Sequence, residues 1–131
     1  MQRIYLSPPE LSGNELECLT AAVEGGWLAP VGPDLDAFEH ELAAVAGRRH
    51  AVAVSSGTAA LHLLLHALGV GPGSEVLVPT LTFVATANAV SYCGAQSQFV
   101  DSEDGSWCVD PTLLLDELDR RARRGTLPAA V

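Results

Sequence analysis

The sequence predicts an α/β fold in which a mainly parallel sheet lies between helices. From residue 50 onward, short runs rich in β-branched residues alternate with stretches of helical periodicity, an order typical of βαβ units. The runs VAVS and VLVP are nearly all apolar, as expected for strands covered on both faces. A hydrophobic content of 48% over 131 residues fits one domain with a well-buried core.

Two helices are expected before this alternation begins. Ser12 and Glu15 have the spacing of a capping box, which predicts a helix over 14–24 that a Gly-Gly pair ends. Pro33 suits the first position of a second helix, whose apolar residues recur at three- and four-residue spacing until Gly47.

The elements expected after residue 50 are strands at 51–54, 75–78 and 97–100 and helices at 58–68, 82–93 and 110–123. Asp110 followed by Pro111 is typical of an N-cap with proline at the first helical position, so neither Asp110 nor Asp101 is predicted to be catalytic. The glycines of 69–73 precede a strand and include a proline, which indicates a turn. The final AAV has the pattern of a strand's first residues, and we interpret the chain as truncated there.

Charge and apolar patterning exclude several classes of partner. Acidic residues outnumber basic ones by 16 to 7, so a surface that binds nucleic acid or anionic lipid is not expected. The four arginines at the end of the last predicted helix and directly after it are interpreted as solvated or as favouring the helix C-terminus. Apolar runs are too short for a membrane span and no leader pattern is present, which predicts a cytoplasmic protein.

Cys18, Cys93 and Cys108 are expected to be free, buried thiols.

The chain contains no lysine, because all seven basic residues are arginines. A Walker phosphate loop is therefore excluded, and no mechanism that requires a lysine amine can be completed by these residues. A dinucleotide fingerprint is also missing between strand and helix.

The turn Ser55-Ser56-Gly57-Thr58 lies where a predicted strand leads into a helix. Helix N-termini present unpaired N–H groups and partial positive charge, which makes such a turn an anion site. Gly57 allows close approach of a ligand, while Ser56 and Thr58 add hydroxyl donors, so phosphate is the expected guest. The alternative is that Ser56 only caps the helix and Gly57 only permits the turn.

Residues 79–90, PTLTFVATANAV, form the second candidate region. We expect them at the carboxyl end of a strand, where open parallel sheets bind ligands, with Phe83 on the first helical turn. An aromatic ring there can stack on a flat heterocycle, although core packing is the alternative. His62 and His66 are four residues apart, but no third ligand is evident, so a partly buried structural pair is favoured over a metal site and no metal is predicted.

The combination of WLAPVGP, SSGTAAL and TFVATAN at these separations resembles the N-terminal part of the DegT/DnrJ/EryC1/StrS family of pyridoxal-phosphate-dependent sugar aminotransferases. The likeness extends from IYLSPPELSGNE through FVDSEDGSWCVDP and so covers almost the whole chain. Within the family it is most similar to the EpsN- and PglE-like group, which aminates a nucleotide-linked keto sugar for polysaccharide or glycan synthesis.

The resemblance implies the N-terminal part of the large domain of a fold-type-I transferase. It implies an N-terminal arm and helix at 1–30 and a partial cofactor-binding domain at 31–131. Pyridoxal 5'-phosphate is the implied cofactor, with its phosphate at Ser56, Gly57 and Thr58 and its pyridine ring stacked on Phe83. The implied partners are a nucleotide sugar, an amino donor such as L-glutamate, and a second copy in a homodimer.

Family members also have an aspartate that pairs with the pyridine nitrogen and a lysine that forms a Schiff base, and both matching positions lie beyond Val131. We therefore expect no catalytic residue in this chain and no transamination by it alone. Two alternatives stay open. One is a sugar dehydratase of the same family, in which a histidine replaces that lysine, and the other is a non-catalytic binding or dimerisation module.

Overall fold

A computed structural model describes residues 3–5 and 7–131 of the chain. Two compact units are distinguished, one that ends at Ala53 and one that runs from Val54 to Val131. The division expected at residues 30 and 31 stays a prediction.

The first unit contains helix α1 at Glu15–Glu24 and helix α2 at Pro33–Val45. The predicted capping box is only half formed, because the Ser12 hydroxyl donates to the Glu15 carboxylate at 2.8 Å instead of accepting a helix amide. The Ser12 N–H donates to the same carboxylate at 2.6 Å, and Asn14, whose side chain makes no capping hydrogen bond, occupies the N-cap position. These hydrogen bonds, first that from the Ser12 backbone, lower the pKa of Glu15 to about 2.

The second unit alternates helices and strands as the sequence predicts. Its elements are α3 at Gly57–Ala67, β1 at Glu75–Pro79, α4 at Val84–Tyr92, β2 at Gln96–Val100 and α5 at Pro111–Arg124. Every one of these boundaries falls within two residues of its expected position. Asp110 is the N-cap of α5, as predicted, and its carboxylate accepts hydrogen bonds from two amides of the first turn.

The strand expected at 51–54 is absent, and that prediction was wrong. Residues 51–54 have no regular secondary structure, and the side chain of Val52 is 69% exposed. An apolar run becomes a strand only where a second backbone supplies ladder hydrogen bonds, and no such partner pairs with it among the residues described. The Ala53 N–H donates instead to Glu39 Oε1 at 2.7 Å.

Among the described residues, strand β1 forms a two-stranded sheet with β2 and an isolated bridge on its other edge. It pairs in parallel with β2, in register from Glu75 opposite Gln96 to Pro79 opposite Val100. On its other edge the Leu77 N–H donates to the carbonyl of Ala130 at 3.0 Å, and Ala130 forms a parallel bridge with Val76. The strand-like pairing expected at the final AAV is thus confirmed at Ala130.

Helices cover both faces of β1, as predicted. Val76 and Val78 point to one face, where they form the core with Val70 and with Val90 of α4. Leu77, on the opposite face, is also buried, and on that face Glu75 forms an ion pair with Arg121 of α5.

Arg121 corrects the interpretation of the last arginines as solvated side chains. It is only 8% exposed, and its guanidinium bonds the carboxylates of Glu75 and Glu117, which raises the pKa of Arg121 with Glu75 as the first cause. A buried cation requires such pairing, and the two carboxylates supply it. Arg120 does lie at the surface, where it pairs with Glu117 at 2.6 Å.

The cysteines are free, as predicted, but two of them are not buried. Cys18 and Cys108 are exposed, while Cys93 is partly buried against the core. Cys18 lies on α1, a helix with no buried residue, which explains its exposure. None of the helices within the described ranges combines the length and apolarity that crossing a bilayer would need.

Candidate functional site

Ser56 is the N-cap of α3. Its backbone is extended, with φ −165° and ψ 161°, and its hydroxyl oxygen accepts a hydrogen bond from the Ala59 N–H at 3.1 Å. The carbonyl of Ser56 accepts the Ala60 N–H at 3.0 Å, so the helix starts at Gly57, one residue earlier than expected. The capping role weighed as the alternative for Ser56 is therefore present.

Capping by Ser56 satisfies only one of the first amides of α3. The N–H groups of Gly57 and Thr58 have no acceptor within residues 3–5 and 7–131. Ser56 and Gly57 are exposed, and a Cβ built on Gly57 would have no atom within 4 Å. The first turn carries no acidic residue that would repel an anion. Two unpaired donors therefore lie at the positive end of an eleven-residue helix, and Gly57 borders open space.

Phe83 lies immediately before α4 and not on its first helical turn. The sequence predicted a helix from residue 82, but α4 begins at Val84 and Phe83 is its N-cap, with φ −61° and ψ 141°. The extended conformation at Phe83 keeps it out of the helix, and its side chain is 83% exposed. The core-packing alternative for this ring is thus excluded within the second unit. As expected, the residue follows the carboxyl end of β1.

The two halves of the predicted site lie at the starts of two helices that pack together. Helices α3 and α4 are in contact within the second unit. Among the described residues, no hydrogen bond joins Phe83 to the turn at Ser56–Thr58. The turn itself does not follow a strand, because the segment at 51–54 has no regular structure.

Sequence reasoning missed a hydrogen bond between the ends of the two strands. The Thr80 hydroxyl donates to Asp101 Oδ1 at 2.9 Å, directly after β1 and β2 respectively. Hydrogen bonds from the Ser102 backbone and then from Thr80 lower the pKa of Asp101, so this carboxylate is charged at neutral pH. The sequence did contain a signal for this hydrogen bond, because Thr80 and Asp101 are polar residues that directly follow two predicted strands. The carboxyl ends of neighbouring parallel strands meet at one edge of the sheet.

His62 and His66 are both exposed, so the expectation of a partly buried pair was wrong. The His62 ring meets Tyr92 of α4 edge to face, with centroids 5.6 Å apart and an interplanar angle of 62°. In the part of the chain that the structure describes, no three potential ligands from histidine, cysteine, aspartate and glutamate cluster around a metal position.

Comparison with known proteins adds family information to this geometry. A model of the DegT/DnrJ/EryC1/StrS aminotransferase family matches residues 9–129. EpsN from Bacillus subtilis, named as a pyridoxal phosphate-dependent aminotransferase, is 46% identical over 130 residues, which are 99% of this chain and 34% of EpsN. GDP-perosamine synthase from Caulobacter vibrioides is 41% identical over 87% of this chain and 31% of its own length. The chain therefore spans about a third of the length of these curated relatives.

Solved structures give a matching result. A DegT DnrJ EryC1 StrS aminotransferase from Brucella abortus superposes with a TM-score of 0.75 at 33% identity, over 88% of this chain and 31% of that one. For 3-amino-5-hydroxybenzoic acid synthase the TM-score is 0.73 at 35% identity, over 87% and 30% of the two chains. GDP-4-keto-6-deoxy-D-mannose-3-dehydratase from E. coli is 23% identical, with a TM-score of 0.69 over 80% of this chain and 28% of that one, and shares the fold alone.

Proposed function

Since this chain belongs to the DegT/DnrJ/EryC1/StrS aminotransferase family, we propose that it is the N-terminal part of a pyridoxal-phosphate-dependent sugar aminotransferase. The proposed reaction transfers an amino group from L-glutamate to a nucleotide-linked keto sugar, in the biosynthesis of a polysaccharide or glycan. Relatives named for a GDP-linked product and for spore coat polysaccharide biosynthesis support this substrate class. The full-length protein is proposed to act in the cytoplasm as a homodimer.

The observation that carries the proposal is the pair of free amides at the start of α3. Phosphate oxygens require several donors, and the Gly57 and Thr58 N–H groups are two donors that have no acceptor among the described residues. The hydroxyl proton of Ser56 stays available while its oxygen accepts from Ala59, so this side chain can cap the helix and donate to phosphate together. The residues present fit the phosphate group of the cofactor.

Phe83 fits the second half of the cofactor. Its ring is exposed although it is large and apolar, and the face of an aromatic ring is suited to stacking on a pyridine ring. Stacking and phosphate binding orient the cofactor without forming a covalent bond to it. When bound, pyridoxal phosphate supplies an electron sink for the bond changes of amino transfer.

The chain itself provides no lysine for covalent attachment of the cofactor. We propose that this lysine, and the aspartate that pairs with the pyridine nitrogen, belong to family positions outside these 131 residues. The 131-residue chain is then a cofactor-binding segment that is inactive by itself.

Equilibrium dialysis with pyridoxamine phosphate tests the phosphate site, because this probe has the ring and the phosphate but no aldehyde that could react with an amine. Gly57→Ala places a methyl group over the turn without meeting any atom of the chain, so the fold should persist while affinity falls about tenfold through loss of a charge-assisted hydrogen bond. Thr58→Val should also weaken binding. Gly105→Ala is the matched control, because the space around that glycine is equally open.

Pyridoxamine, which lacks the phosphate, separates the two halves of the site. Gly57→Ala should leave its binding unchanged, whereas Phe83→Leu should weaken binding of both probes about two- to tenfold. Phe99→Leu, at another exposed phenylalanine, is the control for the ring. Equal binding of pyridoxamine phosphate by the wild type, Gly57→Ala and Thr58→Val would refute the assigned phosphate site.

A further inference from the structure

The chain that presents Phe83 is short. Only the four residues 80–83 connect the end of β1 at Pro79 to the start of α4 at Val84. The Phe83 ring is too exposed to be held by packing against its neighbours. Its placement therefore depends on the path of the backbone that leads to it.

Thr80 is anchored at two points as it leaves the sheet. Its N–H donates to the carbonyl of Val100 at 2.9 Å, and its hydroxyl donates to Asp101 Oδ1 at 2.9 Å. The same carboxylate oxygen accepts the Ser102 N–H at 2.9 Å, and the carbonyl of Asp101 accepts the Asp110 N–H at 2.9 Å. Asp101 thus links the end of β1 to the end of β2 and to the N-cap of α5.

The far end of the connection is fixed by α4. The carbonyl of Phe83 accepts the Thr86 N–H at 3.0 Å, and the hydroxyls of Thr82 and Thr86 lie 2.8 Å apart. With both ends held, the segment 80–83 has little freedom, and the bond from Thr80 to a charged acceptor is the strongest of its side-chain contacts.

We propose that Thr80 and Asp101 are positioning residues that fix the segment 80–83 and thereby set the direction in which the Phe83 ring is presented to the cofactor. This inference rests on the proposed function for the role of the ring. The hydrogen bonds that hold the segment do not depend on it.

The proposal is tested in the 131-residue chain with two variants, Thr80→Val and Thr80→Ser. The matched control is Thr112→Val, at an exposed threonine of α5. Pyridoxamine phosphate and inorganic phosphate are the two probes. Thr80→Val should lower affinity for pyridoxamine phosphate about three- to tenfold and leave inorganic phosphate binding unchanged, because only ring placement is lost. Thr80→Ser keeps the hydroxyl and should bind both probes as the wild type does.

Two further measurements separate positioning from general damage. Thr80→Val in a Phe83→Leu background should cause no additional loss, since the two changes remove one contribution. Amide hydrogen exchange at Thr86 should accelerate about three- to tenfold in Thr80→Val and in Asp101→Asn but not in Thr80→Ser or Thr112→Val.

The outcomes distinguish the two proposals. Failure of the wild type to bind pyridoxamine phosphate would refute the proposed function, while the exchange rates at Thr86 would still decide whether Thr80 and Asp101 hold the segment. Unchanged exchange and unchanged probe binding in Thr80→Val would overturn the positioning role. Equal loss of both probes would also overturn it, because it would mean that the change disturbs the whole unit.

Discussion

Replacing Ser56 by alanine removes the side-chain cap of α3 and, if the proposed function holds, one hydroxyl donor to phosphate. Ser56 is exposed, so no cavity forms, and its extended backbone suits alanine, so no strain arises. What is lost is one hydrogen bond of 3.1 Å to the Ala59 N–H. Loss of such an N-cap costs about 1 kcal/mol of unfolding free energy, whereas glycine at the same position costs only a few tenths. Ser56→Ala should therefore be less stable than Ser56→Gly.

Urea unfolding followed by far-UV circular dichroism measures this difference. With slopes of about 1–3 kcal/mol per molar urea, a loss of about 1 kcal/mol lowers the midpoint by about 0.3–1 M. Ser55→Ala is the control, because the exposed Ser55 side chain makes no hydrogen bond to the described residues, and its midpoint should not move. A midpoint for Ser56→Ala equal to that of Ser55→Ala would refute the assignment of the cap.

Three further predictions concern the core, one carboxylate and the missing amine. The Val78 side chain is 2% exposed, so Val78→Ala should lower the unfolding free energy by about 2–3 kcal/mol in urea titrations. The Val45 side chain is 88% exposed, so Val45→Ala should leave the unfolding free energy unchanged. The pKa of Glu15, measured by NMR, should be about 2 and should rise in Ser12→Ala. Because the pKa in the folded state is depressed, the Glu15 carboxylate stabilises the fold above the ordinary carboxyl pKa, and this contribution is lost as pH falls toward 2. Borohydride reduction in the presence of pyridoxal phosphate should attach the cofactor only to the N-terminal amine, as read by peptide mass spectrometry. Cofactor attached to a side chain would contradict this prediction, and so would any attachment to protein whose N-terminus is acetylated.

The elements that the sequence predicted well are those with strong local signals. Asp110 and Pro111 determine the start of α5 through a cap and a fixed φ, and both are local effects. The glycine at 94 ends α4 with φ 73°, where a Cβ would also lie 3.2 Å from Pro72. The turn at Ser56–Thr58 was found for the same reason, since capping residues and a glycine next to a helical pattern are visible without any tertiary contact.

Predictions failed where the outcome depended on a distant partner. Residues 51–54 and 76–79 are both apolar runs, yet only the second has neighbouring backbones with which to pair. Arg121 was indistinguishable from its neighbouring arginines until Glu75, 46 residues away, was found against it. His62, Cys18 and Cys108 were predicted to be partly or fully buried, but all three are exposed. Residue type does not reveal which face of an element another element covers.

The sequence by itself determined the order of helices and strands from α3 onward, the caps at Ser56 and Asp110, the absence of lysine and the family resemblance, because these depend on neighbouring residues or on residue identity alone. Only the tertiary structure decided that β1 pairs with β2 and bridges Ala130, that Phe83 is exposed and that Thr80 meets Asp101. Those facts depend on hydrogen bonds and burial between segments far apart in the chain, and such contacts exist only once the backbone has closed the loops between them.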